Sequence, residues 1–341
     1  MTDQIREMAP TILEAIQKSN KILLHCHPYP DPDSVGSVLA MSAVLKKLGK
    51  NVTPIIGDTD YPQSLMEFPN CKWIQSKNYT QINSNEFDLF LILDSSSPSQ
   101  ITQIADINFP DSMNTIVIDH HATNSKFGNI NLVEPTYSST SQILYELFKL
   151  WGVEVNPDIA VCLFMGIFAD TGGFKYQKST PDTLQAASEL AKINPDYHKL
   201  IFNLENNKKP IEVEMTGLAL SSIQKYFSDH VVLSVIPYEE IKKRNLSKSD
   251  AMEGLVASLL KAVIGWDLVA SLVEAEPNVV TVSLRTRDEN RFDVSRIAKI
   301  VGEKGGGHRG AAGTTILEPL DKAKTTLLYA IEKTFPELGK Q

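Results

Sequence analysis

Apolar positions along the first half of the chain fall into two spacings. Residues 2–19 carry them at intervals of three and four, the stripe of an amphipathic helix. A short apolar run, Ile22–Leu24, follows, and helical spacing resumes from Val35 to Leu48. This strand-loop-helix unit recurs, with apolar strands at Val52–Ile56, Leu89–Leu93 and Ile116–Ile118 and helices near 139–150 and 158–168. Short strands without internal polar alternation belong to sheets covered on both faces. The pattern therefore predicts an α/β fold whose N-terminal, mostly parallel sheet is flanked by helices. In such sheets ligands collect beyond the carboxyl ends of the strands.

The pattern breaks at NPDY and again at the polar run ENNKKP, so residues 194–227 are expected to link a domain at 1–193 to a smaller α+β domain at 228–341. The second part reads as a strand at Val231–Ile236, a helix at 250–264, two strands (DLVASLVEA and VVTVSLRT) joined by EPN, a helix at 293–302 and a glycine cluster. Two domains also suit the length, since 341 residues exceed one comfortable core. No internal repeat or low-complexity tract is evident.

Charge sharpens this picture. The net charge of -8 argues against a broad grip on a long polyanion. Residues 228–341 hold 16 basic and 16 acidic side chains, whereas residues 1–227 hold 17 and 25. An acidic half that handles phosphate implies bound cations. No stretch approaches the roughly 18 apolar residues of a membrane helix, and the N-terminus lacks a signal-peptide layout, so no membrane association and a cytoplasmic location are expected. Cys26, Cys71 and Cys162 are widely spaced and odd in number, which fits reduced, structural thiols.

The candidate chemistry sits at strand ends. HCHPYPDPDSVGS follows the first strand, and its prolines keep His27, Asp31 and Asp33 on a stiff loop. Asp94 ends FDLFLIL, Asp119-His120-His121 ends NTIVI, and Asp170 stands before a glycine turn in FADTGGF. A lone Asp after a strand is usually a helix cap, but carboxylates gathered on one rim repel unless cations intervene. Oxygen-rich donors with some imidazole suit two divalent cations, manganese before magnesium. A pair of ions about 3.5–4 Å apart is equipped for in-line phosphoryl displacement. No GxSxG elbow or Walker A loop offers a competing chemistry. Near the other end, GGGHRGAAG and Arg285 in VSLRT provide backbone amides and a bidentate cation for phosphate, although small residues there serve strand packing equally well.

Together these strings resemble the DHH phosphoesterases. HPYPDPDSVGS fits HxxPDxDxxGS, DHH stands at 119–121, and FADTGGF and GGGHRGAAG complete the set. In motif order the chain is similar to the oligoribonuclease branch, the nano-RNases that also dephosphorylate 3'-phosphoadenosine 5'-phosphate. That resemblance implies one metal held by His27, Asp31 and Asp94 and a second by Asp33, Asp94, His120 and Asp170, with a metal-bound hydroxide as the attacking base. It implies that Asp119 and His121 are catalytic residues that orient the metal ligands, and that Arg285, Gly305, Gly306, Gly307 and His308 recognise substrate in a DHH-associated C-terminal domain. Short RNA or DNA oligonucleotides or small nucleotides are the implied partners, with a homodimer left open. Pro32 departs from the glycine often found between the paired aspartates. His25 is expected to be structural or to support a ligand, and Cys26 to face the core. A phosphodiesterase for cyclic dinucleotides, a RecJ-like exonuclease and a pure RNA-binding module are the competing readings. The last is opposed by the complete ligand set.

Overall fold

Helix α1 (Asp3–Lys18) begins where the Thr2 hydroxyl accepts the Ile5 N–H, and it buries Ile5, Ala9, Ile12 and Ile16 on one stripe. After it come β1 (Lys21–His25), α2 (Pro32–Lys47), β2 (Asn51–Ile55), β3 (Leu89–Leu93), β4 (Asn114–Asp119), β5 (Ile130–Val133), α3 (Thr140–Leu150), α4 (Pro157–Asp170), α5 (Pro181–Ile193) and α6 (Tyr197–Glu205). This computed structural model describes residues 1–302 and 305–340, and the chain divides into two units, Met1–Asn207 and Lys208–Gln341.

The five strands of the first unit form one parallel sheet in the order β2-β1-β3-β4-β5. Every residue of β3 is buried. One face packs Ile22, Leu24 and Leu91 under the helices, and the other packs Leu23, Phe90 and Ile92 with Tyr79. Burial on both sides is why these strands are continuous apolar runs. The strand order adds what the sequence cannot supply. From β1 the chain goes outward to β2 on one side and to β3 on the other, so the winding reverses between β1 and β3. A doubly wound sheet opens its ligand crevice at that reversal. The loops carrying His27 and Asp94 leave from those two strands.

Helices α2 and α4 cover this edge of the site and approach closely at two glycines. A Cβ on Gly36 would strike the Cys162 carbonyl, and one on Gly166 would strike Ser141 Oγ and Asp33 Oδ1.

The second unit contains α7 (Pro210–Ser221), β6 (Ile223–Tyr226), β7 (Val231–Ile236), α8 (Tyr238–Lys243), α9 (Lys248–Met252), α10 (Ala257–Leu260), β8 (Leu268–Glu276), β9 (Val279–Thr286), α11 (Val294–Val301), β10 (Gly306–His308), β11 (Ala311–Ile316) and α12 (Leu320–Thr334). Its sheet runs β10-β11-β9-β8-β7-β6, with only β7 and β8 parallel.

Two sequence expectations change here. Residues 194–227, read as a linker, are mostly folded: α6 lays Leu200, Ile201 and Leu204 on the first core, while α7 and β6 belong to the second unit through Met215 and Ala219. Their polar stretch around 205–209 hid the flanking apolar stripes. The helix expected at 250–264 is broken into α9 and α10 around Gly254, which lies against Ile236. Among the described residues no helix is long and apolar enough to cross a membrane.

Candidate metal centre

β1 ends at His25, and the chain turns through Pro28, Pro30 and Pro32 into α2. Pro32 takes the first helical position, where a missing N–H is harmless. Asp31 is the N-cap: its Oδ1 accepts the Asp33 and Ser34 N–H groups at 2.9 and 3.0 Å, which leaves Oδ2 at 3.8 Å from His27 Nε2. His27 Nδ1 donates to the Pro28 carbonyl at 2.9 Å. That bond fixes the ring and leaves Nε2 facing the Asp31 and Asp94 carboxylates, the nitrogen that could ligate a metal.

Asp33 is fully buried in the first turn of α2. Its Oδ2 accepts the Thr140 N–H at 2.8 Å and its Oδ1 the Ser141 N–H at 2.9 Å, so the carboxylate rests on the N-terminus of α3, where a negative charge is favoured. Asp94 follows β3 with φ +54, a left-handed conformation that Asp tolerates better than most residues. The turn aims its carboxylate across the switch point. Oδ2 lies 3.4 Å from His27 Nε2, and Oδ1 lies 3.5 Å from His120 Nε2 and 3.2 Å from Thr140 Oγ1. One carboxylate thus serves two imidazoles, one through each oxygen.

Asp119 ends β4 and is saturated by its own loop. Its Oδ1 accepts the His120 N–H at 2.9 Å and His121 Nδ1 at 2.7 Å, and its Oδ2 accepts Asn124 Nδ2 at 2.6 Å. It therefore orients His121. Asp170, the last residue of α4, brings Oδ2 to 3.1 Å from His120 Nε2.

The donor set fits divalent cations, and His120 shows why. Both its ring nitrogens are buried, and neither has a hydrogen-bond partner among the described residues. Nε2 faces the Asp94 and Asp170 oxygens without hydrogen-bond alignment, an arrangement suited to a third atom shared by all three. Ligand atoms of His27, Asp31 and Asp94 all lie within 4.8 Å of one another, as do those of Asp33, His120 and Asp170 and those of Asp94, Asp119, His120 and His121.

In these groups protons stand in for cations. Burial opposes a charge on His27, but Asp94 and Asp31 outweigh it and lift the imidazole to about 9. Burial likewise opposes the His120 charge, which Asp170 and Asp94 raise to about 11. Asp31 is pushed up to about 6 by burial and by the Asp94 and Asp170 charges, and Asp33 is raised by burial and by Asp94. Burial disfavours the Asp94 charge too, yet His120 and His27 hold it well below the usual carboxylate range. His121 is raised by Asp119.

The other expected residues are placed as follows. His25 is buried edge-on to Phe90, donating from Nδ1 to the Cys26 carbonyl, and burial lowers it to about 3, which marks it as structural. Cys26 is core. In the second unit Arg285, Ala311 and His308 share one row across β9, β11 and β10. Arg285 Nη1 is held by Ser283 Oγ and the Leu284 carbonyl. Gly306 and Gly307 extend the edge strand β10 rather than curling, and Gly305 packs under the Ala298 carbonyl, where a Cβ would clash.

Residues 21–167 match the DHH family N-terminal domain, and residues 240–336 match the DHHA1 domain. The chain carries a DHH domain followed by a DHHA1 domain. It is 29% identical over 331 residues to the bifunctional oligoribonuclease and PAP phosphatase NrnA of Thermus thermophilus, covering 96% of this chain and 94% of that one. It is 31% identical over 186 residues to a probable manganese-dependent inorganic pyrophosphatase of Bacillus licheniformis, 51% of this chain and 55% of that one. The crystal structure of an exopolyphosphatase-related protein from Bacteroides fragilis superposes with a TM-score of 0.87 at 25% identity, covering 98% of both chains.

Sequence reasoning missed the residues that support this DHH site. Thr140, Ser141 and Asn124 look like ordinary caps and turn residues, and Gly166 like a small residue in an apolar helix. Only the fold reveals that Gly166 makes room for the Asp33 carboxylate. Gly166→Ala is expected to cost about 1–3 kcal/mol of stability, as overpacking does, and to weaken metal binding by displacing Asp33. Thermal melts with and without manganese check this: an unchanged metal-induced rise in Tm would refute the coupling.

Proposed function

We propose that the chain hydrolyses short oligonucleotides and 3'-phosphoadenosine 5'-phosphate, using two divalent cations, manganese by preference, in the cytoplasm. The observation that carries this reading is Asp94, whose two oxygens face His27 and His120 separately, as a bridge between two ions requires. Asp31 and His27 would complete one site, and Asp33, His120 and Asp170 the other. When bound, such a pair supplies Lewis acidity to a phosphoryl oxygen and an activated water. The oxygen-rich donor set and the manganese-dependent relative both favour manganese over zinc.

The remaining steps belong to side chains. Asp119 holds His121 through Nδ1 at 2.7 Å, so the ring is fixed and its other nitrogen can carry a proton to the leaving oxygen. Arg285, His308, Gly305, Gly306 and Gly307 would hold a phosphate or the terminal nucleotide of the substrate. The name of the Thermus relative supports this substrate class.

The test is kcat/KM with manganese for RNAs of increasing length, beside 3'-phosphoadenosine 5'-phosphate, cyclic dinucleotides and pyrophosphate. Efficiency is expected to peak at about two to four nucleotides, because the acidic half offers long strands no basic track. Arg285→Ala should hurt the short substrates most. A steady rise toward long RNA would favour a processive exonuclease instead.

A further inference from the structure

The segment after Asp170 is built to hold one aromatic ring in place. Gly172, Gly173 and Phe174 are left-handed in succession, at φ +58, +66 and +65. Phe174 tolerates this because its ring is anchored on Phe164 and Phe168, at centroid distances of 6.4 and 6.0 Å, and its N–H donates to Thr171 Oγ1 at 3.0 Å. The Thr171 carbonyl then accepts the Lys175 and Tyr176 N–H groups at 2.9 and 3.0 Å. The turn is cross-braced on the residue next to Asp170.

This bracing lays the Tyr176 ring across Gly172. A Cβ at position 172 would sit 2.5–2.8 Å from three ring carbons, so the ring covers the glycine and any larger residue there would push it aside. Tyr176 is nonetheless 60% exposed. An apolar ring fixed on one side and open on the other contributes little to the core. It does present a flat surface close in sequence to Asp170. Lys175 and Lys178 flank it, both exposed and neither ion-paired with a described residue, in a half of the chain that is otherwise acidic.

We propose that Tyr176 is the stacking platform for a base of the nucleotide substrate, with Lys175 and Lys178 drawing in its phosphate. Stacking tolerates any base, so this platform selects for the presence of a base and not for its identity. The inference rests on the nucleotide substrate class proposed above. It adds a specificity-determining residue outside the metal centre.

The experiment compares a dinucleotide with an analogue lacking one base, at either position, in the manganese-loaded full chain. The wild type is expected to prefer the intact dinucleotide in kcat/KM. Tyr176→Ala should shrink that preference by about 5- to 150-fold, the loss of one base–aromatic stack, and Tyr176→Phe should restore it. The Lys175→Ala/Lys178→Ala double variant should flatten the salt dependence. If Tyr176→Ala slows both substrates equally, or neither, the platform is overturned while the phosphoesterase reading stands. If the wild type binds a labelled dinucleotide without cleaving it, the same preference is read in Kd. Wild-type protein that neither binds nor cleaves dinucleotides overturns the substrate class and the platform together.

Discussion

Asp94→Asn is expected to abolish hydrolysis and leave the protein folded. The amide keeps the size of the side chain and can still accept the Thr140 hydroxyl through its oxygen. Asn also enters the left-handed region readily, so φ +54 is no obstacle. What disappears is a negative charge shared between the His27 and His120 sides of the site. The amide nitrogen replaces one of the two oxygens that face His27 and His120 and cannot ligate a cation. Losing the Lewis acidity of a correctly spaced ion pair, worth several kcal/mol, corresponds to a fall in kcat/KM of at least about 10³-fold. Turnover, bound manganese per chain and far-ultraviolet circular dichroism together decide the matter. Near wild-type turnover with unchanged metal content would mean that Asp94 is a structural turn residue and the bridge is wrong.

The second large effect is a coupling between protons and metal. His27 is lifted from its ordinary 6.5 to about 9 and His120 to about 11 by carboxylates that a cation would otherwise neutralise. For a raised pKa the sign is fixed. The stabilisation is complete below pH 6.5 and fades as pH climbs through the folded values, so the metal-free protein should lose stability from pH 6.5 to about 9 through both histidines and on to about 11 through His120. Each such group contributes a slope of about 1.4 kcal/mol per pH unit. Metal binding runs the opposite way, because both protons must leave before the imidazoles can ligate. Affinity should therefore rise by up to about 100-fold per pH unit between pH 7 and 8, with about two protons released as the site fills. Calorimetric titration of manganese in buffers of different ionisation heat counts those protons directly. Affinity that is flat with pH would show that the histidines do not bind the metal.

Much of the site is legible in the sequence because its donors follow apolar strands and sit among prolines and glycines, which mark loops. Asp31, Asp33, Asp94, Asp119 and Asp170 can each be placed at an element boundary by pattern alone. The strand order is not legible. Nothing local in Leu89–Leu93 states that it pairs with β1 rather than β2, yet that pairing puts Asp94 beside His27. The supporting contacts are likewise invisible, since the amides of Thr140 and Ser141 act on Asp33 from 107 and 108 residues away. β10 and β11 could not be fixed as strands for a different reason. Gly306, Gly307, Ala311, Ala312 and Gly313 lack the branched and aromatic side chains that announce a strand, and pairing with β9 imposes the extended form. β1 stops at His25, and His27 lies on the loop beyond it.

The buried imidazole of His25 has a practical use in solution spectroscopy. The chain holds seven histidines, and His27, His120 and His121 are all displaced upward by the acids around them. His25 is locked between the Cys26 carbonyl and the Ser95 hydroxyl, with burial keeping it neutral down to about 3. Its ring resonances should stay fixed through a pH series while its neighbours move. Since Ser95 directly follows Asp94, a shift of those resonances on adding diamagnetic magnesium would report movement of the backbone at Asp94 rather than ionisation.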